Sequence, residues 1–126
     1  MKKVLIVDDT LTTRDDTNAV IQGLGYDTVM ASSAKEGLAF LNNNCVDLCI
    51  VDNEMVGMTG LQMVDRMRLN HDMTPVIIIT SLLPDLSEGT AARLNVKDYL
   101  NKNLHSERAR RVIVHALGES RPEEEE

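Results

Sequence analysis

Leu48-Cys49-Ile50-Val51-Asp52 is an apolar run that ends in a carboxylate. Three other segments end in a similar way. Val4-Leu5-Ile6-Val7 runs into Asp8-Asp9, Val76-Ile77-Ile78-Ile79 into Thr80-Ser81, and a shorter segment around Tyr99-Leu100 into Lys102. Short runs of this kind, rich in β-branched residues, read as buried strands. Four strands that each finish in a chemically capable residue place one site at the carboxyl edge of a parallel sheet, where open α/β sheets bind ligands.

The segments between these runs carry helical signals. Strands are expected at 3–7, 27–31, 47–51, 76–80 and 96–100. A first helix is expected from Leu11 to Leu24, with Gly23 and Gly25 supplying the stop. Ser32 or Ser33 caps a second, with Ala34, Leu38 and Leu41 on its apolar side. Glu36, three residues after Ser33, fits a capping box, and Asn42-Asn43-Asn44 ends the helix. After a loop bracketed by Gly57 and Gly60, Leu61, Val64, Met67 and Arg68 recur at helical spacing. A fourth helix is expected after Pro84, over 85–94. Leu104, Ala109, Val112, Ile113, Ala116 and Leu117 mark the stripe of a fifth. Five strand–helix units imply a parallel sheet with helices on both faces. Right-handed crossovers make this a doubly wound α/β fold. One domain is expected over 1–118, with 119–126 as an acidic tail or linker stub.

Composition narrows the function. A chain of 126 residues is one ordinary domain. Apolar residues make up 43% but aromatics only 2%, so Leu, Ile, Val, Met and Ala must fill the core. A net charge of −7 argues against direct nucleic-acid binding, whose footprint is a basic surface. The apolar runs are far too short for a bilayer span, and no basic amphipathic stretch offers a membrane contact. The start, Met1-Lys2-Lys3, lacks a signal-peptide core, which leads to the expectation of a cytoplasmic protein. Cys49 lies in an apolar strand and reads as core, while Cys45 reads as loop. Neither has a second Cys or His pair at zinc-like spacing.

Asp8, Asp9 and Asp52 converge at the sheet edge. Three carboxylates this close repel and raise one another's pKa unless a cation is present. Hard oxygen ligands of this type favour Mg²⁺, which suits phosphoryl chemistry. A carboxylate can also act as a nucleophile and become an aspartyl phosphate. Lys102 would bring positive charge to a transferring phosphoryl group and Thr80 a hydroxyl donor. Taken singly, each of these residues is an ordinary turn, strand-end or surface residue; their combination carries the reading. Met55, Met58, Met63 and Met67 read as core or loop filling. His71, His105 and His115 read as surface residues, and Arg108, Arg110 and Arg111 as a solvated helix face.

With these motifs in place, the chain resembles the receiver domain of two-component response regulators, of the chemotaxis-regulator type. The resemblance spans about Lys3 to Leu117. It rests on Val7-Asp8-Asp9, on Asp52 with Met55 and Gly60, on Thr80-Ser81, and on Asp98-Tyr99-Leu100-Asn101-Lys102, with Arg14, Gly25 and Tyr26 at further matching places. It implies a flavodoxin-like (βα)5 three-layer sandwich with strand order 2-1-3-4-5. It makes Asp52 the phosphoacceptor. Asp9, Asp52 and the backbone carbonyl of Glu54 would be direct Mg²⁺ ligands, with Asp8 acting through a metal-bound water; Mn²⁺ would substitute for Mg²⁺. Thr80 and Lys102 would bind phosphoryl oxygens, and Tyr99 would be the switch aromatic that follows Thr80. Glu54 and Leu82 would hold the two positions that tune the rate of phosphoryl loss. A histidine kinase or phosphotransfer protein would be the donor. The face of the fourth helix, fifth strand and fifth helix would pass the signal to a downstream protein or an attached output domain, or form a weak homodimer. The protein would not be an enzyme beyond its own phosphorylation and dephosphorylation.

Two other functions compete. One is an atypical receiver acting as a phosphorylation-independent interaction module. The other, a distant third, is a haloacid-dehalogenase-type phosphatase, against which stand Asn53-Glu54 after Asp52 and a chain too short for a cap domain. Several residues depart from the receiver pattern. Asn103 stands where a proline preceded by a cis bond is usual, Asn95-Val96 where Gly-Ala is usual, and Val56 where a proline follows Met55. The first helix also has a thin expected stripe, Leu11, Ala19, Val20 and Leu24, with Asp15, Asp16 and Thr17 in places that favour apolar residues. That pattern predicts one of the less stable elements, or an Asp16 that faces a partner.

Overall fold

A computed structural model describes residues 1–81 and 94–118. Its elements in chain order are β1 (Lys3–Val7), α1 (Leu11–Gly23), β2 (Asp27–Ala31), α2 (Ala34–Asn43), β3 (Leu48–Asp52), α3 (Gly60–Leu69), β4 (Val76–Thr80), β5 (Val96–Asn101) and a C-terminal helix (Glu107–Ala116). The five strands form one parallel sheet in the order β2-β1-β3-β4-β5. Of the helix expected over 85–94 only Leu94 is described; the rest of it, Leu82 and the acidic tail lie outside the described residues. Among the described residues no helix is long and apolar enough to cross a membrane.

Alternation along the strands divides the core in two. Val4, Ile6, Leu48, Ile50, Ile77 and Ile79 pack with Val20 and Ile21 of α1 and Ile113 of the C-terminal helix. Leu5, Val7, Cys49, Val51, Val76 and Ile78 pack with Met63, Val64 and Met67 of α3. Both faces of the central strands are therefore covered, which is why β3 and β4 read as unbroken apolar runs. Cys49 is part of this core, and burial, reinforced by the charge of Asp72 and opposed by Arg68, pushes its thiol up to about 12. It is an inert small hydrophobe, as its place in the strand predicts.

The outer elements depart from the sequence reading in three places. In α1 Leu11 is exposed at 61%, while the residues that pack are Thr17, Val20 and Ile21. Ala19 is also exposed, whereas Val20 and Leu24 of the expected stripe do pack against the core. Thr17, one of the residues standing where apolar side chains are favoured, is buried. In α2 the Ser33 hydroxyl accepts from the Glu36 amide at 3.0 Å, but the Glu36 carboxylate reaches Ser32 instead of closing a box on Ser33. Ser33→Ala should lower stability by about 1 kcal/mol in urea unfolding, and an unchanged midpoint would show the cap to be idle. The third departure is in the β3 and β5 bounds. β3 ends on Asp52 itself and β5 reaches Asn101, so each strand carries its pairing one residue nearer the site than the sequence suggests.

Arg68 ties the far end of α3 to the sheet. Its guanidinium donates to the carbonyls of Leu94, Asp72 and Thr74 at 2.7–2.9 Å and to that of Asn95 at 3.3 Å. Asn95 has φ +54, the left-handed conformation that glycine ordinarily supplies and asparagine tolerates. The turn before β5 thus keeps a left-handed residue without a glycine. The described backbone contains no cis peptide bond, so Lys102–Asn103 is trans.

Candidate functional site

Register alone brings the acidic residues together. Val7 of β1 pairs with Val51 of β3, so the next residues, Asp8 and Asp52, leave the sheet side by side. Asp52 pairs with Ile79 and Thr80 with Asn101, which sets Thr80 and Lys102 on the same edge. Asp8 and Asp52 are fully buried, and Thr80 is 1% exposed. Carboxylate oxygens of Asp8, Asp9 and Asp52 lie within 4.8 Å of one another.

Each carboxylate is aimed by its neighbours. Asp8 accepts from the Thr10 amide at 2.9 Å and the Thr13 hydroxyl at 2.7 Å, both at the start of α1. The Arg14 guanidinium donates to the Asp8 carbonyl at 2.9 Å. Asp9 Oδ2 accepts from the Val56 amide at 2.8 Å. A proline at 56 has no N–H to give, so this departure from the receiver pattern adds a tie between the β3–α3 loop and the acidic cluster. Asp52 Oδ1 accepts from the Glu54 amide at 2.9 Å. Its Oδ2 is buried without a hydrogen bond among the described residues, 3.4 Å from Lys102 Nζ.

Burial raises the Asp52 carboxyl, the Glu54 amide opposes it, Asp8 adds to it and Lys102 counters it. The result is about 6. An unsatisfied buried oxygen flanked by two further carboxylates is an arrangement that a small divalent cation would complete, and these hard oxygen donors fit Mg²⁺.

Glu54 is where the sequence reading falls short. Its side chain crosses to the end of β4, accepting from Thr80 Oγ1 at 2.6 Å and the Ser81 amide at 3.0 Å, and from the Ser81 hydroxyl. Lys102 Nζ lies 3.8 Å from its Oε1. Burial pulls the Glu54 carboxyl up, but the Ser81 and Thr80 hydroxyls, the Ser81 amide and Lys102 together hold it below the ordinary range. Ser81 appeared in the sequence only as part of a motif. Its amide and hydroxyl are site donors, and nothing short of the fold shows that they face Glu54.

Tyr99 is half-buried against the α3 side of the core, its hydroxyl buried and without a hydrogen bond among the described residues, and burial raises its pKa. His71, His105 and His115 are exposed, as read. Arg108 makes an exposed ion pair with Asp98 at 3.7 Å, a contact of small energetic weight.

Comparison with known proteins agrees with this geometry. The chain is 33% identical over 130 residues to the Regulator of RpoS of Escherichia coli K12, covering 99% of this chain and 39% of that protein. It is 30% identical over 125 residues to the response regulator protein PilR of Pseudomonas aeruginosa, covering 99% of this chain and 28% of that protein. The chain thus spans less than half the length of these relatives. Among solved structures, a CheY-like receiver domain protein from Methanospirillum hungatei superposes with a TM-score of 0.83 at 23% identity, covering 94% of both chains. The response regulator protein TrrA of Thermotoga maritima, solved in complex with Mg(2+)-BeF, gives 0.82 at 24% identity, covering 92% of this chain and 99% of that one. The model of the response regulator receiver domain matches residues 4–114. With that match and the parallel 2-1-3-4-5 sheet, the chain belongs to the response regulator receiver domain family, the signalling module of two-component systems.

Proposed function

We propose that the chain is a phosphoacceptor receiver in which Asp52 takes a phosphoryl group. The observation that carries this is the setting of Asp52: a buried carboxylate at a strand end, with one oxygen fixed by the Glu54 amide and the other facing Lys102 at 3.4 Å. With a pKa of about 6, Asp52 is mostly ionised at neutral pH and ready to act as a nucleophile. One carboxylate oxygen attacks phosphorus while the bond from phosphorus to the donor's leaving group breaks, and that bond's electron pair departs with the leaving group. Lys102 offsets the charge spread over the transferring phosphoryl oxygens, and the Thr80 hydroxyl donates to one of them.

Asp8, Asp9, Asp52 and the Glu54 carbonyl would hold Mg²⁺, with Asp8 as the outer member, and Mn²⁺ would occupy the same ligands. The cation, when bound, supplies positive charge that lowers the repulsion between Asp52 and an anionic donor. Thr13 and the Thr10 amide keep the Asp8 carboxylate in place for that role. The donor would be a histidine kinase or a phosphotransfer protein. Movement of Thr80 toward the phosphoryl group, followed by Tyr99, would shift the population of two packings at the face that includes β5 and the C-terminal helix. A downstream protein, an attached output domain or a second copy of the chain would read that face. The chain would catalyse nothing beyond its own phosphorylation and dephosphorylation.

Intact-mass spectrometry after incubation with acetyl phosphate and Mg²⁺ tests the reading. A single phosphoryl adduct is expected in the wild type, absent in Asp52→Asn and absent with EDTA. A folded protein that neither gains the adduct nor binds beryllofluoride would instead be an interaction module that keeps the acidic cluster without using it.

A further inference from the structure

The donors expected to receive a phosphoryl group already hold an anion, and that anion belongs to this chain. The Glu54 carboxylate takes the Thr80 hydroxyl at 2.6 Å, the Ser81 amide at 3.0 and 3.2 Å to its two oxygens, and the Ser81 hydroxyl. Lys102 stands between the two carboxylates, 3.4 Å from Asp52 Oδ2 and 3.8 Å from Glu54 Oε1. One amide, two hydroxyls and an ammonium around a pair of oxygens form an anion seat. It lies directly in front of Asp52, whose Oδ1 is bonded to the backbone of Glu54 itself.

We propose that Glu54 is a built-in occupant of the phosphoryl seat and competes with the group that Asp52 receives. This deepens the phosphoacceptor reading and rests on it. The competition follows from counting donors: the Ser81 amide has one hydrogen, and each hydroxyl donates only one. A phosphoryl group on Asp52 gains these hydrogens only after Glu54 gives them up. A carboxylate left in place would also repel the incoming oxygens. Displacement is feasible because the Glu54 side chain is 39% exposed and can turn out to water. Glu54 therefore sets a threshold: the phosphoryl group on Asp52 must bind the seat strongly enough to evict it.

The test uses beryllofluoride as the phosphoryl probe, at fixed Mg²⁺, on wild type, Glu54→Ala and Glu54→Gln. The backbone carbonyl at 54 survives in all three, so the expected metal ligand is unchanged. Glu54→Ala should bind the probe about tenfold more tightly, a difference of about 1.4 kcal/mol, with Glu54→Gln between the two. Before any probe is added, the Ser81 amide proton should resonate downfield in the wild type, move upfield in Glu54→Ala, and return downfield on saturation. Saturable binding in wild type and Glu54→Ala with equal midpoints, or with the variant weaker, would overturn the competition. A Ser81 amide that does not move in Glu54→Ala would overturn the seat even if affinity rises, because charge alone would then explain the gain. If no form binds beryllofluoride, the phosphoacceptor reading fails and takes the competition with it, an outcome distinct from equal binding.

Discussion

Gly60→Val is expected to destabilise the protein by about 3 kcal/mol, the upper part of the usual range for overpacking, and to weaken beryllofluoride binding at Asp52. A Cβ on Gly60 would lie 2.7 Å from the Asp52 carbonyl oxygen and 3.0 Å from the Asn53 Cα. Both neighbours are backbone, so neither can rotate away. The clash falls on the peptide that aims Asp52, and the strand end or the start of α3 must move. Helix propensity works the other way, since glycine in a helix interior costs about 1 kcal/mol relative to alanine, but Gly60 is the first residue of α3, where that gain is smaller. Gly23 provides the contrast. It ends α1 and a Cβ there meets nothing within 4 Å, so Gly23→Ala should be neutral or stabilise by up to about 1 kcal/mol. Urea unfolding of both variants checks the pair. Equal small effects would mean that the β3–α3 junction gives way freely and that Gly60 does not position Asp52.

The sheet was legible because its central strands have no alternative. Runs such as Val76–Thr80 are too short for a helix of that composition and too apolar for a surface strand, and the structure buries all five residues. The acidic cluster was legible for a related reason. In a parallel sheet with adjacent strands in register, residues that follow β1 and β3 must be neighbours, so Asp8 beside Asp52 is a consequence of topology. Amphipathic helices carried less information. The α1 stripe was half legible: Val20 and Leu24 pack as expected, but Thr17 is polar by composition yet 2% exposed in the fold, while Leu11 at the helix start is 61% exposed. A single helical turn of ambiguous residues leaves the rotation of the helix undetermined.

Side-chain direction was the least legible property. Glu54 was readable as a carbonyl donor and a charge near the site, but its turn toward Thr80 and Ser81 depends on where the β4 end projects its amide. The same holds for Val56, whose value lies in an N–H that becomes visible only once Asp9 is seen to accept it. Both residues depart from the receiver pattern or its expected roles, and both tie the loop that follows Asp52 to a neighbouring strand end, Glu54 to β4 and Val56 to Asp9 after β1. These two departures therefore fall where they can alter how the site is entered, whereas Asn95 and Val96 lie at the opposite end of β5, and the elements that position Asp8, Asp52, Thr80 and Lys102 keep the common plan.

In buffer containing EDTA at pH 7.5, Asp52→Asn is expected to be more stable than the wild type by about 2 kcal/mol. The wild-type carboxylate is buried, lies against Asp8 and has one oxygen without a hydrogen bond. Its pKa is raised from the ordinary 3.8 to about 6. A carboxyl whose folded pKa exceeds its unfolded value favours the folded state below pH 4, where it is neutral in both states. That advantage is lost as pH rises from about 4 through 6, because the unfolded chain ionises first. A shift of about two units corresponds to just under 3 kcal/mol, from which the cost of burying the asparagine amide subtracts. Asparagine carries no charge at any of these pH values, and its amide can donate toward Asp8. Lys102 loses one partner in the variant but keeps Glu54 at 3.8 Å, which limits the opposing loss. The stability gap between the two proteins should therefore shrink steadily as pH falls from 7 to 4, even though other carboxylates titrate in both. Mg²⁺ should raise the unfolding midpoint of the wild type and move that of Asp52→Asn far less, since ligand binding stabilises only the state that binds it. Urea titrations at pH 7.5 and 4.5, with EDTA and with Mg²⁺, give all four comparisons. A wild type as stable as the variant at pH 7.5 in EDTA, or a gap that does not narrow on acidification, would mean that Asp52 is well solvated and that the acidic cluster is not held under electrostatic tension.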